Sequence, residues 1–578
     1  MKKSFILVVM MVLVVGCAIK PQGVVTFAEP DDPVWLTVAE ETAWRKVKKR
    51  LNGAWGDVDW NYARGKVPVA LGVEVYPMVA WKGERVAAQL LLWTADGVEG
   101  VTCRVKEFTS REVTLPASIA STCFVRYTVS DTTFQVKGPT ILSPDLLDTL
   151  SHFDMMARSV RPVWVTVEVP REARAGIYQS AIIISHDRAG KLEFPFMLEV
   201  QEHTLPPPDQ WSYHLDLWQH PSAVARVRGL EMWSDAHFEA MVPIMKRLAD
   251  AGQKVVTATL NKDPWNHQCY DAYEAMIRWT RKRDGSWSYD YRVFDRWVEM
   301  MLGLGINKMI NCYSMVPWKC ELDFFDEAKE EMVTVQAEPG TPLFQAMWEP
   351  FLQDFRQHLK GKGWLGITNI AVDERSPEAM DAAVKVLKKC APEMGFALAD
   401  NKKSYRKYTM MRDVCVAQQQ PAEHADIVAR REQGYTTTFY VCNKPVYPNT
   451  LTYSNPYEAE LLGWYGLAWD YDGMLRWAYN SWPKEPHLDS RFSKRSAWGS
   501  GDTYLVYPYN RSSIRFERLI DGIEVFEKVR VLRAARVDMR EVDRVLEKIR
   551  ATNINDPNQP WPQILSEART ALDAVSRK

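Results

Sequence analysis

The feature that most constrains the fold is a regular alternation of short apolar segments with longer helical ones after residue 208. The short segments have the composition of strands and lie at 213–218, 254–260, 308–313, 368–373, 396–399, 414–416, 436–441 and 474–477. Helical periodicity fills intervals between them, at 238–251, 293–303, 342–360, 377–391 and 456–462. Alternating strands and helices form parallel sheets, and eight such units close into a barrel. We therefore predict a (β/α)8 barrel over residues 208–512.

The chain on either side of this region has a different pattern. Between 34 and 207 strand signals dominate; in 164–169, for example, valines alternate with polar residues as in a half-buried strand. The prolines at 206–208 cannot extend a hydrogen-bonded ladder and mark a boundary. We predict a β-sandwich over 34–207 and, from apolar residues at helical spacing, a helical region over 513–578. The expected class is thus α/β plus all-β.

The N-terminus has the pattern of an export signal. Two lysines precede an apolar run, 4–15, that is too short to span a bilayer as a helix. The run ends in Val-Val-Gly-Cys at 14–17, which resembles a bacterial lipobox. This predicts a signal peptide over 1–16, lipidation of Cys17 and a tether over 17–33. An ordinary signal peptide with an incidental cysteine is the alternative.

The residue after the lipidated cysteine bears on location. Asp at that position retains bacterial lipoproteins in the inner membrane, whereas Ala18 follows Cys17 here. The expected location is the bacterial outer membrane, either periplasmic or surface-exposed, with a lipid anchor at Cys17 as the contact with the membrane.

Charge and aromatic content narrow the function. Lys and Arg number 72 against 73 Asp and Glu, so the chain has no basic excess for nucleic acid, and we exclude that class of partner. The 23 Trp residues supply flat apolar faces with a polar edge, on which the C–H faces of sugar rings can lie. Core packing is the alternative explanation for many of them.

The cysteines give no metal motif. Export permits disulfides, and Cys103 and Cys123, which stand alone in the N-terminal region, are the best candidate pair. None of the cysteines has CxxC spacing or a histidine partner, so no metal site is predicted.

The segment with the clearest chemistry is 368–374, where an apolar strand ends in Asp373 and Glu374. Reaction sites of barrels lie at the carboxyl ends of the strands. Neighbouring carboxylates cannot easily flank a glycosidic bond, but they suit a mechanism in which the substrate's own 2-acetamido oxygen attacks the anomeric carbon. Glu374 would act as acid and base, and Asp373 would orient the acetamido group. The strand end must twist to bring both into one pocket.

Two further expectations concern this pair. The acid needs a raised pKa, which burial among aromatic rings can supply. The competing structural interpretation is a loop start, with Asp373 capping a helix and Glu374 paired with Arg375 at the surface.

Three features together resemble glycoside hydrolase family 123, the β-N-acetylgalactosaminidases. They are the Asp373–Glu374 pair, the segment 213–221 and a C-terminal set of blocks at 462–465, 472–483, 501–508 and 513–524. The resemblance spans about 34–533. It implies an exo-acting, retaining hydrolase of glycans with terminal N-acetylgalactosamine, without metal or other cofactor, in which Asp373 orients the acetamido group and Glu374 is the acid and base.

The expected sugar pocket draws on residues at strand ends. We select Trp477, Tyr479, Asn480, Trp218 and Tyr313. Other residues near the same ends are Gln219, Asn261, Asp263, Trp265, Ser314, Tyr440 and Asn443, with Asp216 and His220 more doubtful. Barrel filling or loop packing is the alternative for each of them.

Other functions remain to be compared with this one. An inactive glycan-binding lipoprotein would have the same tether and aromatic content, but it would not need the carboxylate pair. A related hydrolase could act on another N-acetylhexosamine, since the acetamido mechanism does not distinguish an axial from an equatorial 4-hydroxyl. A serine hydrolase is disfavoured, because no GxSxG lies at a strand–helix turn.

Overall fold

The computed structural model describes residues 28–32, 36–132, 139–187, 190–492 and 498–577. The predicted signal peptide, the lipidation site Cys17 and most of the tether lie outside these residues. Glu29 is already bound to the body, with its carboxylate 2.6 Å from the Arg161 guanidinium, so the folded part begins a little earlier than residue 34. Among the described helices, none is long and apolar enough to cross a membrane.

The N-terminal region is a β-sandwich preceded by helix α1 (Val38–Arg45). Its strands are β1 (Asn52–Gly56), β2 (Tyr76–Lys82), β3 (Arg85–Thr94), β4 (Val98–Val105), β5 (Phe108–Thr109), β6 (Thr114–Leu115), β7 (Ala120–Asp131), β8 (Thr140–Asp148), β9 (Phe153–Met155), β10 (Ser159–Glu168), β11 (Gly176–Ser185) and β12 (Lys191–Thr204). One sheet has the order β1-β3-β10-β7-β8, and the other runs β2-β12-β11-β4-β9 with β5 and β6 at its side. Apolar residues of both sheets, among them Leu90, Val165 and Ile182, fill the space between them.

The predicted disulfide between Cys103 and Cys123 is wrong, since both cysteines are free. Cys103 lies on β4 and packs toward the sandwich interior, whereas Cys123 lies on β7 of the other sheet. Cys123 faces the opposite way, against Val125, Trp164 and Ile514. Alternation along β7 turns its side chain away from the core that Cys103 joins.

The C-terminal region is built around a parallel sheet. Its strands are β13 (His214–Leu217), β14 (Val255–Thr259), β15 (Arg278–Arg281), β16 (Trp287–Asp290), β17 (Met309–Tyr313), β18 (Glu321–Asp326), β19 (Glu331–Gln336), β20 (Thr368–Asp373), β21 (Gly395–Asp400), β22 (Met411–Ala417), β23 (Thr436–Tyr440) and β24 (Gly473–Arg476). The parallel sheet has the order β13-β24-β23-β22-β21-β20-β17-β14, and each of its strands falls on a predicted segment. Strands β15, β16, β18 and β19 form a side sheet that the periodicity did not reveal.

The helices of this region cover the parallel sheet. They are α2 (Pro221–Arg228), α3 (Asp235–Asp250), α4 (Arg292–Gly303), α5 (Pro342–Lys362), α6 (Pro377–Cys390), α7 (His424–Glu432), α8 (Pro456–Trp469), α9 (Ile514–Ala534), α10 (Arg540–Ala551) and α11 (Trp561–Ser576). The unit between β21 and β22 departs from a regular (β/α)8 pattern, because a single 3-10 turn at Ser404–Arg406 takes the place of the helix. The last three helices form the predicted C-terminal helical region.

The barrel is nearly closed, and two glutamines complete its seam between β13 and β14. Only an isolated bridge, Leu215 with Gln253, joins these strands by backbone. The Gln253 side chain accepts a hydrogen bond from the Leu217 N–H at 2.9 Å and donates one to the Val255 carbonyl at 2.7 Å. Gln219 accepts in turn from the Thr257 N–H at 2.8 Å. Side-chain amides thus replace the missing ladder, as buried backbone groups require.

Helix α9 joins the barrel to the sandwich. Arg515 holds Asp145 of β8 at 2.9 Å, and Lys528 holds Glu84 at 3.0 Å. Gly522 lies against Gly463 of α8 so closely that a Cβ on Gly463 would be 2.2 Å from the Gly522 carbonyl oxygen. The block 513–524, which carried much of the family resemblance, therefore acts in architecture and not in a reaction site.

The seam can be tested with Gln253→Leu, which keeps the bulk of the side chain but leaves the buried Leu217 N–H without its acceptor. We expect the free energy of unfolding to fall by about 2–3 kcal/mol, the cost of an unpaired buried donor plus a lost hydrogen bond. Thermal denaturation beside Gln357→Leu, an exposed glutamine of α5, measures the difference. Equal stability of the two variants would show that the seam does not depend on this amide.

Candidate active site

The carboxyl ends of the barrel strands hold an aromatic cluster that is separate from the main core. Its members are Trp218, Trp265, Cys269, Tyr273, Tyr313, Ala371, Ala397, Ala399, Cys415 and Leu475, with Tyr440 and Trp477 packed against them. The Trp218 ring lies 4.6 Å from that of Tyr313 and 4.8 Å from that of Trp265, measured between centroids. The cluster forms one apolar wall at the barrel mouth.

Asp373 is the last residue of β20 and points into the barrel mouth. It follows Asn369 and Ala371 on the inward face, and its neighbour in register on β21 is Ala399, whose methyl group leaves space beside the carboxylate. The side chain of Trp318 hydrogen-bonds to it. Burial and then the nearby charge of Glu374 raise the pKa of Asp373 to about 8, against the smaller opposing effects of Trp318 and Arg375.

Glu374 leaves the strand in a left-handed conformation. Its φ is 46°, so the chain turns there instead of continuing the alternation of a strand, and this is the twist that the adjacent carboxylates required. Its N–H still donates to the Ala399 carbonyl at 2.9 Å. The Tyr440 hydroxyl donates to Glu374 Oε1 at 2.5 Å. Burial and the Glu374 charge both raise the pKa of Tyr440, which keeps that hydroxyl a donor.

The expected burial of Glu374 among aromatic rings is wrong. Glu374 is exposed, and the desolvated carboxyl of the pair is Asp373. The reason is the turn at Glu374, which carries its side chain to the open side of the mouth while Asp373 keeps the inward direction of the strand.

Three of the selected pocket residues lie at the mouth. Trp218 follows β13, Tyr313 ends β17 and Trp477 follows β24, and all belong to or pack on the aromatic cluster. Trp477 is partly exposed, its ring is 4.9 Å from that of Trp498, and its indole contacts Asp502. Asp502 is itself held by a buried ion pair with Arg476 at 2.6 Å, so the side chains that support Trp477 are fixed in place.

The other two selected residues lie elsewhere. Tyr479 is fully buried behind the barrel wall, and its hydroxyl donates to the Ile244 carbonyl of α3 at 3.0 Å. Asn480 is also buried and clamps the backbone of His220, accepting from its N–H at 2.9 Å and donating to its carbonyl at 3.0 Å. Strand β24 ends at Arg476, so Tyr479 and Asn480 lie beyond the strand and their side chains do not follow its alternation.

The doubtful residues are structural. His220 stacks on Tyr273 with 3.7 Å between ring centroids, and burial lowers its pKa to about 3, so it is neutral. Asp216 is buried inside the barrel, on the inward face of β13 below Trp218. Burial and the charge of Asp413 raise the pKa of Asp216 well above its usual range.

Sequence reasoning missed several polar groups around the mouth. Arg375 Nε, Asn401 Oδ1 and Gln418 Oε1 are buried without a hydrogen-bond partner among the described residues. They lie one or two residues after β20, β21 and β22, at the same end of the barrel as the carboxylate pair, and their unpaired atoms could bond the hydroxyl groups of a ligand. Their position right after predicted strands was the available signal; Trp318, on a long loop, had none. Among the described residues, no group of three or more His, Cys, Asp or Glu side chains could hold a metal ion.

Comparisons with known proteins agree with this geometry. The family model of the glycoside hydrolase 123 catalytic domain matches residues 218–532, more than half of the chain, and that of the family's N-terminal domain matches 55–186. The fold and the site define a glycosidase of the barrel type, and the chain belongs to glycoside hydrolase family 123.

A solved structure has a similar fold. A family 123 glycoside hydrolase from Clostridium perfringens, described for the hydrolysis of glycolipid glycans, superposes with a TM-score of 0.83 at 24% identity over 91% of this chain and 98% of that chain. A GH5 xyloglucanase of Bacteroides ovatus covers 79% of this chain and 99% of its own, at 10% identity and a TM-score of 0.29. No curated protein matches the chain.

The environment of Asp373 predicts a pH-dependent stability. Its pKa is about 8 in the folded state against an ordinary value of 3.8. Between those values the folded protein binds the proton that the unfolded chain releases, so this carboxyl reduces stability as the pH rises toward 8. Asp373→Asn removes that loss, and we expect it to stabilise the protein by about 1–3 kcal/mol at pH 8, less than the full shift because water still screens the site.

Denaturation at several pH values checks this expectation, with the exposed Asp209→Asn as control. The gain of the Asp373 variant should shrink as the pH falls and vanish near the ordinary pKa. A gain that is the same at every pH would mean that the charge of Asp373 is not its cause.

Proposed function

We propose that the protein is an exo-acting, retaining β-N-acetylgalactosaminidase that uses the 2-acetamido group of its substrate as the nucleophile. The observation that carries the proposal is the pair of adjacent carboxylates with different surroundings, Asp373 desolvated and Glu374 open and bonded to Tyr440. Two-carboxylate glycosidases place their groups about 5–9.5 Å apart on opposite sides of the bond. Neighbours on one strand end suit the mechanism in which the substrate supplies the nucleophile.

The carboxylate pair also supplies the proton that the leaving oxygen requires. Like charges so close favour a single shared proton, and burial favours it on Asp373 in the free enzyme. An acetamido N–H that donates to Asp373 stabilises its ionised form. The proton that Asp373 gives up is then available to the acid of the reaction, Glu374. Binding of an N-acetylated sugar thereby produces the ionisation state that the reaction needs, whereas a sugar with a 2-hydroxyl lacks this N–H.

The reaction follows in two steps. In the first, the acetamido oxygen attacks the anomeric carbon, the glycosidic bond breaks, and Glu374 gives its proton to the leaving oxygen. Asp373 holds the N–H of the resulting oxazolinium and offsets its charge. In the second step, Glu374 takes a proton from water, and the water oxygen attacks the anomeric carbon. This attack opens the oxazoline ring, restores the acetamido group and leaves the anomeric configuration retained overall. The Tyr440 hydroxyl positions Glu374 for both steps.

We infer the substrate class from the residues that line the barrel mouth and from the family. Trp477, which is partly exposed, provides a flat surface for the sugar, with Trp218 and Tyr313 buried in the aromatic cluster that it packs against, and the unpaired groups of Arg375, Asn401 and Gln418 suit the sugar's hydroxyls. The family resemblance favours galactosamine over glucosamine. The Clostridium perfringens enzyme is described for glycolipid glycans, and we propose glycans of that kind, with terminal β-N-acetylgalactosamine, as the natural substrates. The proposed location is the outer membrane, with a lipid on Cys17.

The assay that tests this function compares chromogenic β-N-acetylgalactosaminide, β-N-acetylglucosaminide and β-galactoside. We expect hydrolysis of the first, at least 100-fold less turnover of the β-galactoside, and loss of kcat by a factor of about 10³ or more in Glu374→Gln, as for removal of a general acid. Asp373→Asn should slow formation of the oxazoline by about 100-fold or more.

The control for this assay is Glu331→Gln on exposed β19, which should keep full activity. Normal turnover by Glu374→Gln, or equal hydrolysis of the β-galactoside, would contradict the mechanism. Failure of the wild type on all three sugars, together with binding of glycans that carry terminal N-acetylgalactosamine, would favour an inactive glycan-binding protein.

The positions of Trp477 and Tyr479 predict that replacing Trp477 changes KM and that replacing Tyr479 does not. Trp477→Ala removes a wall of the mouth, so KM should rise about tenfold or more, the value of one stacked aromatic face. Tyr479→Phe removes a hydrogen bond to the Ile244 carbonyl far from the mouth, so KM should stay unchanged while the protein loses about 1 kcal/mol of stability. Steady-state kinetics and thermal denaturation of both variants measure these effects. A raised KM in Tyr479→Phe would show that Tyr479 contributes to the sugar pocket.

A further inference from the structure

A run of basic residues follows helix α1. Arg45, Lys46, Lys48, Lys49 and Arg50 are all exposed, and no acidic residue interrupts them. The nearest carboxylates along the chain are those of Glu40 and Glu41 on α1, and Glu41 lies 4.0 Å from Arg45. We call residues 45–50 the basic run. So dense a positive charge is unusual in a chain whose net charge is −1.

An exposed apolar segment lies close to the basic run. Along 67–75, every second residue is a bare aliphatic side chain: Val69 is 83% exposed, Leu71 44%, Val73 40% and Val75 49%. Nothing lies within 4 Å of the position that a Cβ on Gly72 would occupy, so this stretch faces open space. We call 67–75 the apolar segment. Exposed aliphatic groups in such a row mark a surface that another phase or molecule covers.

Two hydrogen bonds connect the surroundings of these features with Pro30, which belongs to the first described residues. The indole N–H of Trp44, just before the basic run, donates to the Gly65 carbonyl at 2.6 Å, two residues before the apolar segment. The neighbouring Arg64 donates to the Pro30 carbonyl at 2.9 Å. These bonds place the start of the basic run, the start of the apolar segment and the described residues 28–32 beside one another, and we call this part of the surface the N-terminal face.

We propose that the N-terminal face docks on an anionic lipid surface. Roughly ten residues separate Cys17 from the first described residue, and a chain of that length reaches at most about 35 Å. A lipid on Cys17 would thus keep this face near a bilayer. Basic side chains there attract anionic headgroups, and the aliphatic ones enter the boundary between headgroups and acyl chains. Contact at this face would orient the body, which a tether alone leaves free to rotate.

The proposal does not depend on the glycosidase activity and is tested without the lipid. The unacylated mature chain, residues 18–578, is mixed with phosphatidylcholine vesicles, alone or containing phosphatidylglycerol, and bound protein is measured by cosedimentation. We expect binding to the vesicles with phosphatidylglycerol only, weakening as NaCl is added. Lys48→Gln with Lys49→Gln should weaken it by roughly fivefold per charge. Val69→Ser with Leu71→Ser should weaken it as well.

The matched control is Lys385→Gln with Lys388→Gln, on the exposed side of α6. This pair removes the same charge from another part of the surface and should bind as the wild type does. All variants change exposed residues, so unchanged thermal midpoints verify that they fold. Absence of binding to anionic vesicles, equal binding to neutral ones, or an equal loss in the control pair would overturn the proposal.

Discussion

The structure depends on one buried group of charges that ties its parts together. Glu460 of α8 lies between Arg518 of α9 and Arg569 of α11, and Asp59, next to β1, completes the group at 2.8 Å from both arginines. Burial opposes the charge of Glu460, but the two guanidinium groups lower its pKa to about 2. Removal of one member would leave an unpaired charge in the interior, which costs about 3–5 kcal/mol. Sandwich, barrel and C-terminal helices are thereby held in one arrangement.

That arrangement supports a site which is itself unfavourable to folding. The mouth contains a desolvated carboxyl at Asp373, a left-handed Glu374 and several unpaired polar groups, each of which lowers stability. Such features persist only where the surroundings hold them, and active sites are where they collect. Here the support comes from the barrel wall and from the ion pair of Arg476 and Asp502 under Trp477. The difference in desolvation between two adjacent carboxylates would give each its own role in the proposed reaction.

Sequence motifs that identify a family need not contain the residues that carry out its reaction. The block 513–524 resembles family 123 over its length, yet its side chains hold Asp145, Arg85 and Glu460 and let two helices touch at Gly463 and Gly522. The Asp373–Glu374 pair lies at the barrel mouth, together with Trp218 of the segment 213–221 and Trp477 of the block 472–483. A lipid tether and an N-terminal face that binds lipid, as proposed, would add a third set of residues, which serve to place the enzyme at its substrate.

The sequence by itself determined the sandwich, the parallel strands of the barrel and the position of Asp373 and Glu374 at a strand end, because these depend on local periodicity and on where an apolar run stops. Tertiary structure decided the rest. It desolvated Asp373 while leaving Glu374 exposed, set Cys103 and Cys123 on opposite faces, and placed Tyr479 and Asn480 behind the barrel wall. It also paired β15, β16, β18 and β19 into the side sheet and placed Trp318 beside Asp373. These outcomes depend on contacts between residues far apart in the chain, which periodicity does not encode.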